Sequence, residues 1–119
     1  MRNAPTPYVG RFAPSPTGPM HLGTLVAAMA SYLEARQKQG QWLLRIEDLD
    51  PPREIPGSAN AIIHSLETLG FEWDQSILYQ STRNNAYQEI VNWLLDQKLA
   101  YACDCSRKTI AQAIRHQTG

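Results

Sequence analysis

Arg11-Phe12-Ala13-Pro14-Ser15-Pro16-Thr17-Gly18-Pro19-Met20-His21-Leu22-Gly23-Thr24 joins a short apolar run to a helical pattern. Residues 8–13 read as a buried strand, because they are apolar and free of proline. Pro14, Pro16, Gly18 and Pro19 then force a loop, since proline cannot donate to a ladder or a helix. From Leu22 to Gln39 the apolar residues Leu22, Leu25, Val26, Met29 and Leu33 recur at helical spacing, and Gly40 marks the stop. Ala27, Ala28 and Ala30 allow this helix to lie close on a sheet. Residues 41–47 read as a second buried strand. Strand, helix and strand make a βαβ unit, for which parallel strands and a right-handed crossover are the rule.

Further along, residues 48–54 form a loop and a helix begins near Ser58, with Ala59, Ile62, Ile63, Leu66 and Leu69 on one face and Gly70 at its end. Residues 77–80 suit a brief strand. A second amphipathic helix is predicted over 81–98, with Tyr87, Ile90, Val91, Leu94 and Leu95 inward, and a short helix from Ser106. The expected class is α/β, a Rossmann-like parallel sheet with flanking helices. A doubly wound sheet normally has four or more strands, so two good strands and a short one predict half of such a domain.

The 119 residues carry 11 basic and 11 acidic side chains, so nothing in the charge balance points to a broad nucleic-acid face. No apolar run approaches the roughly 20 residues that span a bilayer, and residues 1–5 lack a secretory stretch. The expectation is a cytoplasmic, monomeric chain without membrane contact. Cys103 and Cys105 are too close in sequence for an unstrained disulfide, which leaves reduced thiols or metal ligands.

The quoted loop lies where parallel α/β folds bind ligands, at a strand's carboxyl end and a helix's start. A helix N-terminus offers N–H groups and a positive dipole end to phosphate. Gly23 lets a nucleotide approach the backbone, and His21 can donate to phosphate oxygens as charge develops. Taken as isolated residues, His21 and Gly23 read first as a helix cap and a packing glycine. Arg45-Ile46-Glu47-Asp48-Leu49-Asp50 ends the second strand at the same edge. Arg11 can grip a carboxylate in two-pronged fashion and Glu47 can hold an ammonium group. One acid and one base in a crevice suit an amino acid with a second carboxylate. The plainer alternative pairs Arg11 with Glu47; Asp48 and Asp50 are expected to cap the following turn.

The string from Arg11 to Gly18, followed by x-x-His-x-Gly, resembles the "HIGH" region of class I aminoacyl-tRNA synthetases, in the glutamate branch, with Thr24 in the fourth position. Arg45-Ile46-Glu47-Asp48 is similar to the matching segment of glutamyl-tRNA synthetases. Asp50-Pro51-Pro52-Arg53-Glu54 looks more like the shorter glutamyl-queuosine tRNA(Asp) synthetase family. The likeness continues through residues 69–74, Tyr79-Gln80-Ser81 and Ala100-Tyr101-Ala102-Cys103. It implies ATP-dependent activation of glutamate and transfer to queuosine in tRNA(Asp), with magnesium accompanying ATP. It assigns Arg11, Phe12, Ala13, Pro14, Ser15 and Glu47 to glutamate. Pro16, Gly18, His21, Gly23 and Thr24 fall to ATP, the last three as the catalytic positions.

The resemblance also divides the chain into a Rossmann-like half-domain, 1–100, and the start of a zinc-binding insertion, 101–119. In both glutamate-type families a Cys-x-Cys here opens a zinc site, so Cys103 and Cys105 are candidate ligands. The tyrosine and cysteine that complete the site have no counterpart after Cys105, and His116 is the one later candidate. The family's second ATP loop, of the "KMSKS" type, is also missing, so the chain alone is expected to be an incomplete catalyst. The rivals are a glutamyl-tRNA synthetase N-terminus, a non-catalytic remnant that binds tRNA or a partner, and a small nucleotidyltransferase with a His-x-Gly-His loop. Thr24 in place of the second histidine disfavours the last.

Overall fold

The two apolar runs become neighbouring parallel strands, β1 (Val9–Phe12) and β2 (Gln41–Ile46), joined through the helix α1 (Leu22–Gln37). Their register places Val9 beside Gln41 and Phe12 beside Leu44. A two-residue strand, β3 (Leu78–Tyr79), adds to the other side of β2, also parallel, after the helix α2 (Ser58–Thr68). The sheet order is β1-β2-β3, which leaves β1 at an edge. This is the expected α/β arrangement of a parallel sheet with flanking helices. The computed structural model describes residues 7–117, with side chains through 115. It divides into two compact units between Asn84 and Asn85. Among the described residues, no helix is long and apolar enough to cross a membrane.

In the first unit one sheet face is closed. Phe12, Trp42 and Leu44 point to it and meet Ala28 and Ala35 of α1, Ile62 and Leu66 of α2, and Phe71. Trp42 is the centre: its ring stacks on Phe12 at 6.1 Å and on Phe71 at 5.6 Å, with Tyr32 edge-on at 5.1 Å. Its indole N–H donates to Ser31 Oγ at 2.9 Å, which removes the cost of burying that donor. Its backbone N–H donates to Asp74 Oδ2 at 2.8 Å.

Helix α2 follows the expected pattern, with Ile62 and Leu66 buried and Ile63 packed against them, although Leu69 is exposed. Helix α1 departs from it. Of its apolar series, Leu22, Val26, Met29 and Leu33 are exposed, and Leu25 is partly buried. Ala28 and Ala35 face the sheet, whereas Ala27 and Ala30 are exposed. The reason is spacing. Gly10 lies so near α1 that a Cβ there would sit 3.2 Å from the Ser31 carbonyl and 3.3 Å from Ala35 Cβ. A helix that close admits alanine underneath and no leucine.

The first unit ends with a 3-10 turn, Gln80–Arg83, and α3 (Asn84–Asp96) follows it, so the regular helix starts later than residue 81. The face expected inward is largely open: Ile90, Val91 and Leu95 are exposed, as is Trp93, while Tyr87 and Leu94 are half-buried. The helix α4 (Arg107–Gln117) is capped as its sequence suggests, with Thr109 N donating to Ser106 Oγ at 3.1 Å.

Candidate active site

The loop after β1 is fastened to the segment after β2 by backbone bonds. Glu47 N donates to the Pro14 carbonyl at 2.9 Å, and Ile55 N to the Pro16 carbonyl at 3.0 Å. These bonds hold the carboxyl ends of two parallel strands side by side. Between them opens a cavity of about 290 Å³ lined by Ser15, Thr17, Glu47, Leu49, Asp50, Arg53 and Gln80. Two of the residues expected to bind glutamate, Ser15 and Glu47, therefore share one cavity.

Arg11 lines a different cavity, of about 320 Å³, with Leu43, Arg45, Gln75 and Leu78. Glu47 takes Arg45 as its ionic neighbour, at 3.6 Å from Nε to Oε1. Arg45 thus links the two cavities, a role the sequence reading did not give it. Strand alternation was the available signal, because Arg45 and Glu47 are two apart and fall on one face. Phe12 is turned the other way, into the core, and is 7% exposed. Pro14 and Pro16 are buried and Ala13 is half-buried, so this part of the loop presents mainly backbone.

At the entrance to α1, His21 is the N-cap. Its Nδ1 accepts the Thr24 amide at 3.3 Å, and Nε2 lies 3.1 Å from Thr24 Oγ1. Gly23 makes room for this ring, because a Cβ there would lie 3.1 Å from His21 Cε1. The capping alternative is thus the arrangement present. A ring set across the first turn of a helix is also beside the N–H groups that suit an anion.

Gly18 has φ +141°, which a side chain would strain. The loop is held there by Ser58, a buried residue that no local signal marks. Ser58 Oγ accepts from Gly18 N at 2.9 Å and donates to Gly18 O at 2.7 Å. The pair is 40 residues apart and connects the start of α2 to the loop.

The two aspartates differ. Asp50 stays local as expected: its carbonyl accepts Arg53 N at 2.9 Å, and its carboxylate pairs with the Arg53 side chain. Asp48 does not cap the turn that follows it. It binds Ser81, with Oδ1 accepting the amide at 2.9 Å and Oδ2 the hydroxyl at 2.6 Å. The pairing of Ile46 with Tyr79 brings Ser81 alongside. Burial pushes the Asp48 carboxyl up, but the Ser81 hydroxyl and amide, with the Asp48 and Gln80 amides, outweigh it and hold it below its ordinary value.

Cys103 and Cys105 are free and exposed. Two thiolates are half of a tetrahedral zinc site. Among the described residues no group of three or more His, Cys, Asp or Glu gathers to hold a metal. The residues in view do not fit a complete zinc site, and the His116 side chain lies outside the described residues.

Comparison with known proteins decides the family. Residues 8–119 match the tRNA synthetases class I (E and Q) catalytic domain. The chain belongs to this family. It is 61% identical over 104 residues to a glutamyl-Q tRNA(Asp) synthetase of Shewanella oneidensis, covering 87% of this chain and 35% of that one. The same-named protein of Yersinia pestis is 54% identical over 110 residues, covering 92% and 34%. Among solved structures, a glutamate-tRNA synthetase from Elizabethkingia anophelis superposes with TM-score 0.74 at 32% identity, covering 91% of this chain and 23% of that chain. A glutamate tRNA ligase from Elizabethkingia meningosepticum, in complex with its amino acid, gives 0.71 at 33% identity, covering 88% and 22%. The chain spans about a third of the length of the curated relatives it matches.

Proposed function

We propose that this class I synthetase chain supplies the glutamate- and ATP-binding part of a glutamyl-queuosine tRNA(Asp) synthetase. The reading is carried by the convergence of Ser15 and Glu47 on one cavity at the carboxyl ends of β1 and β2. The identity of 61% to a relative named for that activity supports it. The likeness to a ligase solved with its amino acid supports glutamate.

In this reading Glu47 holds the ammonium group and Ser15 a hydrogen bond in their shared cavity, and Arg11 reaches a carboxylate of the same substrate from the cavity it shares with Arg45, across the Arg45–Glu47 pair. Phe12 acts from the core by fixing the strand, and Ala13 and Pro14 shape the wall. ATP lies along Pro16, Gly18 and the α1 entrance, with magnesium on its phosphates. The glutamate carboxylate attacks the α-phosphate, the bond to pyrophosphate breaks, and glutamyl-adenylate forms. No protein nucleophile is needed, because the chain's task is to position reactants and stabilise spreading charge. His21 gives up its bond to Thr24 to meet phosphate, while Thr24 and Gly23 keep the helix entrance open. The glutamyl group then passes to queuosine in tRNA(Asp). Residues 1–100 form the half-domain and 101–119 begin an insertion, where Cys103 and Cys105 contribute two zinc ligands.

The test is glutamate-dependent exchange of labelled pyrophosphate into ATP. It is run on this chain and on a chimera that continues into the remaining length of the Shewanella relative. Exchange by the chimera and none by the chain alone is expected. A chimera that binds ATP yet exchanges with no amino acid would sink the assignment. Transfer to tRNA(Asp) carrying queuosine, and none to the same tRNA without it, checks the acceptor.

A further inference from the structure

Gln80 lines the cavity that Ser15 and Glu47 share, and it comes there from a third segment of the chain. It stands directly after β3, where the strand passes into a 3-10 turn. So short a strand fixes little by itself, with two residues paired to β2. Side chains secure the turn instead. Asp48, next to Glu47 in the chain, accepts the Ser81 amide at 2.9 Å and the Ser81 hydroxyl at 2.6 Å. The Gln80 amide donates to the same carboxylate. Thr82 Oγ1 donates to the Tyr79 carbonyl at 2.6 Å, which closes the turn on its other side. A carboxylate that accepts from two consecutive amides and a hydroxyl holds the backbone at Gln80 in one place.

The polar groups of the cavity are not equivalent. Asp50 is taken up by Arg53. Ser15 and Thr17 are exposed, whereas Glu47 and Gln80 are half-buried. An ammonium group carries three N–H donors, and a donor left unmet in a closed site is costly. We propose that Gln80 is a further substrate-contacting residue, whose side-chain carbonyl accepts from the ammonium of the amino acid beside Glu47, and that Asp48 and Ser81 are the clasp that positions it. The inference rests on the glutamate reading above and adds one contact to the same cavity. A neutral acceptor suits that place. It adds a hydrogen bond without a second negative charge, which would repel both Glu47 and the carboxylates of the substrate.

The test uses the full-length chimera described above and compares two ligands. One is glutamate, read as its KM in pyrophosphate exchange. The other is glutarate, which has both carboxylates and no ammonium, read as a competing inhibitor. Gln80→Met keeps the length of the side chain and removes the carbonyl acceptor. It is expected to raise the KM for glutamate about tenfold or more and to leave glutarate inhibition within about twofold. Ser81→Ala takes one bond from the clasp and is expected to raise the same KM about threefold, with glutarate again unchanged. An unchanged KM in Gln80→Met overturns the proposal. Equal weakening of glutamate and glutarate also overturns it, because the loss is then one of cavity shape or of a carboxylate contact. An unsubstituted chimera that exchanges with no amino acid removes the glutamate reading and this inference with it, so the unsubstituted protein tells the two failures apart.

Discussion

Helices α1 and α2 lie on the same sheet and obey opposite rules. In α2 the large apolar residues are inside, with Ile62 and Leu66 at 2% and 0% exposure. In α1 Leu22, Val26, Met29 and Leu33 are outside, and the residues buried against the sheet are Ala28 and Ala35. Periodicity identifies an apolar face in both, but it does not say what that face packs against. The distance between helix and sheet decides that, and Gly10 sets it for α1 by letting the backbone come close. The face left over, with Leu22, Val26, Met29 and Leu33, stays exposed.

The sharpest break of this comparison is a matched truncation. Leu66→Ala removes a fully buried side chain and is expected to cost about 2–5 kcal/mol. Leu33→Ala removes the same atoms from an exposed site and is expected to stay within about 0.5 kcal/mol in the isolated chain. Urea unfolding of both variants checks the contrast. Similar losses would mean that the α1 stripe is already covered in the free chain.

The converse substitution is next in size. Ala35→Leu adds bulk where Gly10 and the sheet leave none and is expected to cost about 1–3 kcal/mol. Ala30→Leu, on the exposed side of the same helix, is expected to be near neutral. A tolerated Ala35→Leu would show that α1 can lift from β1 at little cost.

These contrasts mark what the sequence can carry. The β1-loop-α1-β2 order and its parallel sense were legible, because proline, glycine and periodicity are local signals; the register that sets Val9 beside Gln41 was not. Chain topology set Arg11 and Glu47 in one crevice, whereas the structure puts Arg11 in a separate cavity, and Ser15, which the family resemblance supplied, is the residue that shares a cavity with Glu47. The orientation of α1 was not, since it depends on a separation that no single segment encodes. Asp48 looked like a local cap and found Ser81, 33 residues on, because the pairing of β2 with β3 places it there. Ser58 sits at a helix start where a hydroxyl usually caps, yet Gly57 is the N-cap and the hydroxyl serves Gly18 instead. In the second unit, the stripe on α3 repeats the lesson of α1: its amphipathic pattern is genuine, and its apolar face is exposed.

Ser58 offers a smaller test of the long-range ties. Ser58→Ala removes both bonds to Gly18 and is expected to cost about 1–2 kcal/mol. The Gly18 amide should exchange faster, while α1 amides keep their protection. An unchanged Gly18 exchange rate would mean that the backbone bond from Ile55 to Pro16 fixes the loop without help.

The smallest expected effect is a dependence on pH. Hydrogen bonds to Ser81 outweigh burial and hold the Asp48 carboxyl below its ordinary value. A carboxyl depressed on folding contributes stability above its unfolded pKa, about 3.9. That contribution is lost as pH falls through the lower folded value. Asp48→Asn removes the titration and also weakens the bond to Ser81, so stability near neutrality should drop by under about 1 kcal/mol. Its acid limb should be shallower than that of the unsubstituted chain. The limb shrinks without vanishing, because the Trp42 amide and Arg36 hold the Asp74 carboxyl below its ordinary value as well. Asp48→Asn/Asp74→Asn should flatten it further. Parallel acid limbs in all three proteins would mean that neither tie between distant segments is a source of pH-dependent stability, and Glu34, held below its ordinary value by its hydrogen bond to Lys38, would become the next carboxylate to test.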